Sequence, residues 1–287
     1  MEKLKIFICC HKPYNGYRDE VYTPIHLGRA VSLCTDQMQD MIGDDTGENI
    51  SEKNPYYSEA TGIYWIWKNV HDCEYVGLHH YRRFFLNKFT NNNIDKFFSN
   101  GYDVLMVRPF LCDYTNRWYF TLAYMSCEDL LILRSVIKGL YSEYVSTFDT
   151  VMNDFTYNAF NMIICKKRLY DEYAKWMFDI LFQVEKIIKQ SAYPNSRRTL
   201  AYMSELLTPI YFKHHKKKIR YQSITMEGNA VPYTFKFKVF VFLFSKFIYP
   251  FIKTRRHFID PSIVNGLLKV GINVEEIGKG NFNILIK

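Results

Sequence analysis

The sequence predicts an α/β protein built on a mostly parallel β-sheet with helices on both faces. Two observations support this prediction. Short apolar segments typical of buried strands recur along the chain, and longer segments with helical spacing of apolar residues alternate with them. From about residue 232 the composition changes to Phe, Lys and Val, which indicates a separate C-terminal segment that is basic, aromatic and helical.

The first half of the chain begins with a compact apolar run at residues 5–10, which predicts a buried first strand. Residues 43–55 are polar and contain many turn-forming residues, so they are expected to form a long loop. Residues 58–69 have helical spacing, with Ser58 at the predicted N-cap. Residues 75–78 predict a short buried strand that leads directly into a cationic and aromatic run.

The second half of the chain continues the alternation with two strands and three helices. The predicted strands are residues 103–107 and 157–165, and the predicted helices are residues 126–145, 168–190 and 199–214. The chain contains no G-x-G-x-x-G motif and no Walker-type glycine-rich lysine loop. The absence of these motifs argues against a dinucleotide-dependent oxidoreductase and a P-loop NTPase.

The composition is that of a folded protein with an anionic partner. Of the 287 residues, 48% are hydrophobic and 23% are charged, which favours a packed core over disorder. The net charge of +8 suits nucleic acid, anionic lipid or a phosphorylated substrate. Because the basic residues are scattered and no aromatic RNA-binding motif is present, we do not expect nucleic acid to be the partner.

The cysteines and the N-terminus indicate a cytoplasmic protein. There are seven cysteines, an odd count, and no C-x-x-C pair, so neither a zinc site nor a disulfide framework is expected. Cys9 and Cys10 lie inside an apolar run and are predicted to be small buried hydrophobes. The apolar run before His11 is too short for the core of a signal peptide.

A cluster of cationic and aromatic side chains follows the strand at residues 75–78. It consists of His79, His80, Tyr81, Arg82 and Arg83. Ligands of open α/β sheets bind beyond the carboxyl ends of strands, and two arginines can bind the oxygens of a diphosphate bidentately. The cluster therefore predicts a donor-diphosphate site. The alternative, in which strand alternation buries His79 in the core and points one arginine to solvent, stays open.

Other donor-binding candidates lie on loops at the same predicted edge of the sheet. His11 and Lys12 follow the first strand, and Asn49 and Ser51 lie in the long loop. Glu59 is near the start of the following helix, where its carboxylate could instead simply complement the helix dipole.

Several segments, in this order, resemble a family of polysaccharide-biosynthesis glycosyltransferases formerly described as a domain of unknown function. The similar segments are residues 11–14, 24–28, 45–51, 64–69, 77–83, 157–167 and 198–205. The His-Tyr-Arg-Arg block and the Tyr-Trp-x-Trp-Lys-Asn helix are the most specific of them. The resemblance implies a GT-A-like fold with a single nucleotide-sugar-binding sheet. It also implies an inverting transfer of galactofuranose from a UDP donor to a growing glycan.

One feature departs from the usual GT-A pattern, because the chain contains no Asp-x-Asp motif to hold a divalent metal on the diphosphate. We therefore expect Arg82 and Arg83, helped by His80, to replace the electrostatic role of the metal, so that no cofactor is required. A Mn²⁺ ion held by histidine, or a Mg²⁺ ion, is the alternative.

An inverting transfer needs a carboxylate that deprotonates the acceptor hydroxyl. The resemblance points to Glu205 for this role, and Asp154, which precedes the predicted strand at residues 157–165, is the second candidate. Asn158 and Asn161 are the candidates for binding hydroxyls of the acceptor sugar. The alternatives are that Glu205 is a solvated helix residue and that the asparagines bind neighbouring backbone groups.

The C-terminal segment, residues 234–256, suits a membrane surface. Its longest uncharged run, residues 239–245, is far shorter than the roughly 20 residues needed to span a bilayer. In a helix, four of its cations would fall within about 80° of one another around the axis. These cations are Lys238, Lys246, Lys253 and Arg256. An interfacial helix on anionic lipid, kinked at Pro250, is expected, and a pair of short strands or a core helix is the alternative.

Taken together, these features predict a glycosyltransferase domain at residues 1–231 and a membrane-associating segment at residues 232–287. The expected partners are a UDP-sugar, a glycan carried on polyprenyl diphosphate and the inner face of the cell membrane. The expected pathway is the synthesis of capsular polysaccharide or O-antigen. A different hexose donor, or a non-catalytic membrane-bound scaffold of the same pathway, is the alternative.

Overall fold

The computed structural model describes residues 2–112, 114–226, 229–248, 250 and 260–282. These residues divide into two compact units. The sheet unit takes in the described residues of Met1–Pro109, Asn158–Lys175 and His215–Thr234. The helical unit takes in those of Phe110–Tyr157, Trp176–His214 and Phe235–Lys287. The predicted division of the chain at residues 231 and 232 stays a prediction.

The central feature of the sheet unit is a seven-stranded sheet. The strands of the described residues are β1 (Glu2–Cys10), β2 (Tyr22–His26), β3 (Ile42–Gly43), β4 (Cys73–His80), β5 (Val104–Val107), β6 (Phe110–Leu111), β7 (Thr156–Tyr157), β8 (Ile163–Lys166), β9 (Ile219–Gln222), β10 (Ile224–Met226) and β11 (Asn229–Val231). The order in the sheet is β3-β2-β1-β4-β8-β5-β9. Only β8 runs antiparallel to its neighbours, β4 and β5. The predicted α/β class with a mostly parallel sheet is confirmed.

The helices of the described residues are α1 (Asn54–Tyr57), α2 (Ala60–Asn69), α3 (Ile94–Phe98), α4 (Asn116–Ala123), α5 (Cys127–Leu140), α6 (Val145–Met152), α7 (Lys167–Glu185), α8 (Pro194–Arg197), α9 (Thr199–His214), α10 (Phe235–Leu243), α11 (Pro261–Lys269) and α12 (Val274–Ile277). Helix α2 packs on the sheet through Trp65, whose ring lies 5.8 Å from the ring of Phe7 on β1. Helix α9 has the bounds that the sequence predicts.

Strand β4 passes very close to β8 at Gly77. A Cβ atom at this position would lie 2.6 Å from Cγ1 of Ile164 and 3.0 Å from the carbonyl oxygen of Ile163. Glycine is therefore the residue that allows the antiparallel strand to pack at this distance. This close pairing fixes β4 in the middle of the sheet, and β4 ends at His80.

The predicted strand at residues 157–165 is wrong in its middle. Strands β7 and β8 are separated by a turn in which Phe160 and Asn161 both have left-handed backbone conformations, with φ of 76° and 52°. A strand requires φ near −120°, so the ladder cannot continue through these two residues. Asparagine tolerates the left-handed region better than most residues, which favours a turn at Asn161.

The predicted N-cap of the helix at residues 58–69 is also wrong. Helix α2 begins at Ala60 with Glu59 at the N-cap, and Ser58 has φ of 45°. The carbonyl oxygen of Ser58 accepts hydrogen bonds from Asn54 Nδ2 at 3.0 Å and from Thr61 Oγ1 at 3.1 Å. These bonds stabilise the left-handed turn that precedes the helix.

The C-terminal segment is helical where the structure describes it. Helix α10 continues as a π-helix at Phe244–Ile248, and none of its residues is buried. The alternatives of paired strands and of a core helix are therefore wrong for residues 235–248. The expected kink at Pro250 and the cations Lys253 and Arg256 depend on residues 249 and 251–259, which lie outside the described residues. No helix in the described ranges is both long and apolar enough to cross a membrane.

Candidate active site

Strands β1 and β4 bring their carboxyl ends to the same edge of the sheet. They are parallel neighbours, with Ile8 opposite His79 and Cys9 opposite His80. His11, which follows β1, and His80, at the end of β4, therefore lie on the same edge. This is the edge at which open α/β sheets bind their ligands.

Glu59 lies between two imidazoles at this edge. Its Oε1 atom is 3.4 Å from Nδ1 of His80 and 3.6 Å from Nε2 of His11. The Glu59 side chain is only 13% exposed and that of His80 only 6% exposed. A carboxylate so shielded from water interacts strongly with the imidazoles beside it. The position of Glu59 at the N-cap of α2 directs its carboxylate to this edge.

Both ring nitrogens of His80 face acceptors. Nε2 is 2.8 Å from the carbonyl oxygen of Phe160, and Nδ1 faces Glu59. Burial is the largest influence on His80 and lowers its pKa, while Glu59 and the Phe160 carbonyl act in the opposite direction. The Glu59 carboxylate and the Phe160 carbonyl oxygen therefore both favour a proton on His80, against the effect of burial.

His79 has the opposite environment. Its ring is 1% exposed and lies 4.9 Å from the ring of Phe85 and 5.6 Å from that of Tyr22. Neither ring nitrogen has a hydrogen-bond partner in the described part of the chain. Burial lowers the pKa of His79 to about 3, so the ring is neutral. This placement matches the alternative in which strand alternation buries His79 in the core, and it does not support a role for His79 in donor binding.

The two arginines are placed differently. The backbone N–H of Arg83 donates to the His80 carbonyl oxygen at 3.3 Å, and Arg83 Cζ lies 4.2 Å from the ring centroid of Phe160. Its Nε atom is buried, with no hydrogen-bond partner among the residues described. Arg82 is exposed, with Cζ 5.0 Å from the ring of Tyr81. Arg83 thus belongs to the same cluster as His80, and Arg82 and the half-buried Tyr81 lie at its rim.

The turn at Phe160 and Asn161 packs against this cluster. Phe160 contributes its carbonyl oxygen to His80 and its ring to Arg83. Two consecutive left-handed residues are costly, and such strain is concentrated at functional sites. Asn158, at the start of the turn, is buried and its Nδ2 donates to the Val107 carbonyl oxygen at 2.9 Å. Asn158 thus binds backbone, as in the alternative to acceptor binding, and Asn161 is likewise buried.

Asp44 is a buried carboxylate that the sequence pattern does not mark as part of the site. It accepts hydrogen bonds from the backbone N–H groups of Gly28 (2.9 Å) and Arg29 (3.1 Å) and from the hydroxyls of Ser51 (2.5 Å) and Thr61 (2.7 Å). These bonds join β2, the long loop and α2, and so they fix the position of Glu59. The sequence signal for this buried carboxylate is the pair Asp44-Asp45 in the polar loop at residues 43–55.

The remaining donor candidates have mixed placements. Asn49 donates from Nδ2 to the carbonyl oxygens of Asp45 and Gly47, both at 3.0 Å, and Ser51 binds Asp44. Both side chains therefore shape the loop. Lys12 is exposed beside the half-buried His11, so its ammonium can reach a ligand at the rim.

The two candidate bases lie in the helical unit. Asp154 accepts from the backbone N–H of Phe155 at 2.8 Å and from Thr156 Oγ1 at 3.2 Å, with Lys213 Nζ at 3.9 Å. Its carboxylate therefore stabilises a turn. Glu205 is half-buried on α9, and its negative charge acts on Tyr124 and Tyr157.

Candidate metal ligands are not clustered among the residues that the structure describes. Within the described ranges, no group of three or more His, Cys, Asp or Glu side chains is arranged to hold a metal ion. The paired imidazoles around Glu59 are held at ion-pair distances from its carboxylate.

Comparisons with known proteins bear on the family and the fold of the chain. The family described as "Domain of unknown function (DUF4422)" matches residues 5–217. No curated protein matches the chain. A solved apo structure of the bifunctional glycosyltransferase WbbM is similar, with 25% sequence identity and a TM-score of 0.69. The match covers 80% of this chain and 46% of that one, so the chain spans about half the length of WbbM. The likeness confirms the expected GT-A-like fold.

Proposed function

The chain belongs to the DUF4422 family, and from this membership and the geometry of the sheet edge we propose that it is a glycosyltransferase with a nucleotide-sugar donor. The observation that carries the proposal is the grouping of Glu59, His80, Arg83 and Phe160 at the carboxyl end of β4. The likeness to a bifunctional glycosyltransferase supports it.

The Arg83 guanidinium is the proposed ligand of the donor diphosphate. It stacks on Phe160, which orients its planar group, and its Nε is a buried donor that a phosphate oxygen would satisfy. Charge-assisted hydrogen bonds from arginine to phosphate are among the strongest in proteins. As the bond between the sugar and the diphosphate breaks, the same cation stabilises the negative charge that grows on the leaving group.

The proposed reaction is an inverting displacement. The acceptor hydroxyl attacks the anomeric carbon, the bond from that carbon to the diphosphate oxygen breaks, and the hydroxyl proton passes to a carboxylate. We retain Glu205 as the proposed base and galactofuranose as the proposed sugar. Asp154 is the weaker candidate because its carboxylate already accepts two hydrogen bonds within its own turn.

No metal is required in this proposal, because Arg83 and its neighbours supply positive charge at the diphosphate. A divalent ion bound by the histidines is the competing proposal. Activity that survives EDTA would support the first, and loss of activity that Mn²⁺ or Mg²⁺ restores would support the second.

The proposed acceptor is a glycan on a polyprenyl diphosphate carrier, as in the synthesis of capsular polysaccharide or O-antigen at the inner face of the cell membrane. Residues 235–248 support a membrane surface as a partner. Phe235, Phe242 and Phe247 are 78%, 62% and 58% exposed, and three lysines lie among them. Exposed aromatic rings beside cations suit an anionic interface.

Incubation with a panel of UDP-sugars and a lipid-linked acceptor mimic, followed by mass spectrometry, tests the function. One sugar should be added to the acceptor, and the productive donor identifies the sugar. If no donor in the panel gives a mass increase and calorimetry also shows no UDP binding, the proposal is refuted. If UDP binds but no sugar is transferred, the panel of acceptors is widened.

The Glu205→Gln variant tests the base. Turnover should fall by about a thousandfold while the dissociation constant for UDP is unchanged, since general bases contribute roughly 10² to 10⁴ in rate. Asp154→Asn is the matched control and should retain turnover. An active Glu205→Gln enzyme would show that another group takes the proton.

A further inference from the structure

Four tyrosines of the helical unit form a cluster beside Glu205. They are Tyr119 on α4, Tyr124 at the C-cap of α4, Tyr157 on β7 and Tyr202 on α9. All four side chains and Glu205 are half-buried. We refer to these four residues as the tyrosine cluster.

The hydroxyls of three of these tyrosines converge. The Tyr119 hydroxyl lies 3.2 Å from that of Tyr124 and 3.4 Å from that of Tyr157. The rings also pack, with centroids 4.3 Å apart for Tyr124 and Tyr202 and 5.2 Å apart for Tyr119 and Tyr157. The cluster therefore presents ring faces and phenol oxygens together.

The proton count leaves the cluster a hydrogen-bond donor. Three hydroxyls carry three protons, and the two contacts among them use two. Hydrogen bonding to Tyr119 is the main cause that raises the pKa of Tyr124, and burial is the main cause for Tyr157; the charge of Glu205 adds to both. Tyr124 and Tyr157 therefore stay protonated at neutral pH, and the two contacts among the three hydroxyls leave one O–H for a further acceptor.

A cation and an anion flank Tyr202. Glu205 lies three residues after Tyr202 on α9, and Arg198 directly precedes the helix, where its carbonyl oxygen accepts from the backbone N–H of Tyr202 at 3.1 Å. Arg198 Cζ lies 5.7 Å from the ring of Tyr202. These residues thus combine an aromatic ring, a guanidinium and a carboxylate.

Core tyrosines of this chain differ from the cluster. Tyr170 and Tyr173 also pack ring against ring, but both are fully buried. A half-buried group whose hydroxyls converge has the composition of a binding surface: an apolar face with a few placed polar groups. A sugar ring presents a matching pattern, with C–H faces that pack on aromatic rings and hydroxyls that exchange hydrogen bonds.

We propose that the tyrosine cluster binds a sugar ring of the acceptor glycan. The rings of Tyr124 and Tyr202 pack on the sugar, the hydroxyls of Tyr119 and Tyr157 bind its hydroxyl groups, and Glu205 faces the bound sugar. This inference rests on the proposed function, because it assigns the acceptor of that reaction.

Saturation-transfer difference NMR with methyl β-D-galactopyranoside, methyl β-D-glucopyranoside and methyl α-D-mannopyranoside tests binding directly. The wild-type chain should transfer saturation to the ring protons of at least one glycoside. Tyr202→Ala should abolish the signal, and Tyr119→Phe should weaken binding about fivefold to tenfold, the cost of a lost hydrogen bond. Tyr193→Phe, at a tyrosine that is 77% exposed outside the cluster, is the control and should bind as the wild type does.

The inference is overturned if no glycoside receives saturation from the wild-type chain, or if Tyr202→Ala and Tyr119→Phe bind as the control does. A fold check by circular dichroism and UDP binding by calorimetry, both unchanged in Tyr119→Phe, separates a lost contact from a lost fold. Sugar transfer is scored separately. Glycoside binding with neither transfer nor UDP binding would contradict the proposed function alone, and transfer with an unchanged acceptor KM in Tyr119→Phe would contradict the cluster alone.

Discussion

Two adjacent histidines on β4 have opposite environments. Alternation along a strand sends successive side chains to opposite faces, so His79 and His80 cannot both line one site. His79 packs among aromatic rings in the core, and His80 lies between Glu59 and the Phe160 carbonyl oxygen. The sequence predicted the cluster and offered the burial of His79 by strand alternation as an alternative, but it could not decide between that alternative and a cluster in which all five residues bind the donor.

His79 should make the stability of the protein depend on pH. Its pKa falls from an ordinary 6.5 to about 3 on folding, because burial disfavours the charged ring. Below pH 6.5 the unfolded chain binds a proton that the folded chain does not bind until about pH 3. The free energy of unfolding should therefore decrease by about 1.4 kcal/mol for each pH unit between pH 6.5 and pH 3, and above pH 6.5 His79 should have no such effect.

Denaturant unfolding at pH 6.5 and pH 5 checks this. The free energy of unfolding of the wild-type chain should decrease from pH 6.5 to pH 5. In His79→Phe this decrease should be smaller by about 2 kcal/mol. His71→Gln, at an exposed histidine, is the control. Equal falls for the wild type and His79→Phe would mean that His79 is protonated in the folded state.

The two arginines of the cluster should differ in their contribution to donor binding. Arg83 stacks on Phe160 with a buried Nε, and Arg82 is exposed. We expect Arg83→Ala to raise the dissociation constant for UDP by about tenfold to a hundredfold, since hydrogen bonds to charged groups are worth roughly 1.5–3 kcal/mol. Arg82→Ala should have a smaller effect in the same calorimetric titration. Equal losses of UDP affinity in the two variants would place the diphosphate at the rim of the cluster, beside Arg82.

At the scale of elements, local pattern predicted most helices and strands, and long-range contacts decided the exceptions. Helix α9 has its predicted bounds, and its buried residues surround it on nearly all sides. The turn inside residues 157–165 was not predicted, because an apolar run does not report backbone φ. The buried Asp44 was also missed, since its partners at Gly28, Ser51 and Thr61 are far from one another in sequence.

Helix α10 and its π-helical continuation should bind anionic membranes through exposed phenylalanines. Burying a Phe side chain is worth about 1.5–3 kcal/mol, so replacing both Phe242 and Phe247 by serine should weaken vesicle binding by about a hundredfold or more. Flotation with vesicles containing phosphatidylglycerol measures this. High salt should also weaken binding, because the neighbouring lysines attract the anionic headgroups.

The control for this helix is Leu33→Ser, at an apolar side chain that is fully exposed in the sheet unit. It should float as the wild-type chain does. If Phe242→Ser with Phe247→Ser floats equally well, the exposed face of residues 235–248 has another role.

At the scale of the whole molecule, the family match and the sheet do not end at the same point. The match stops at residue 217, whereas β9, the edge strand parallel to β5, begins at Ile219. Helix α10 also lies beyond the match. The family match therefore spans the residues of the candidate donor site, whereas the proposed membrane surface lies outside the match and depends on the exposure of residues 235–248.

The cysteines provide a test of the fold across the chain. All seven are free, as the spacing predicted, and four are buried in the sheet unit. These four are Cys9, Cys10, Cys73 and Cys165. Burial raises the pKa of Cys10 to about 12 and that of Cys73 to about 11, so few of these thiols are ionised at neutral pH.

Titration with Ellman's reagent at pH 7.5 should therefore count at most three fast thiols in the native protein: the half-buried Cys34, Cys112 and Cys127. In denaturant all seven should react, because unfolding removes the burial that suppresses thiolate formation. Fewer than seven in denaturant without reductant would reveal a disulfide and contradict the free-thiol assignment. Seven fast thiols in the native protein would mean that the sheet opens readily, since its central strands β1, β4 and β8 carry the four buried thiols.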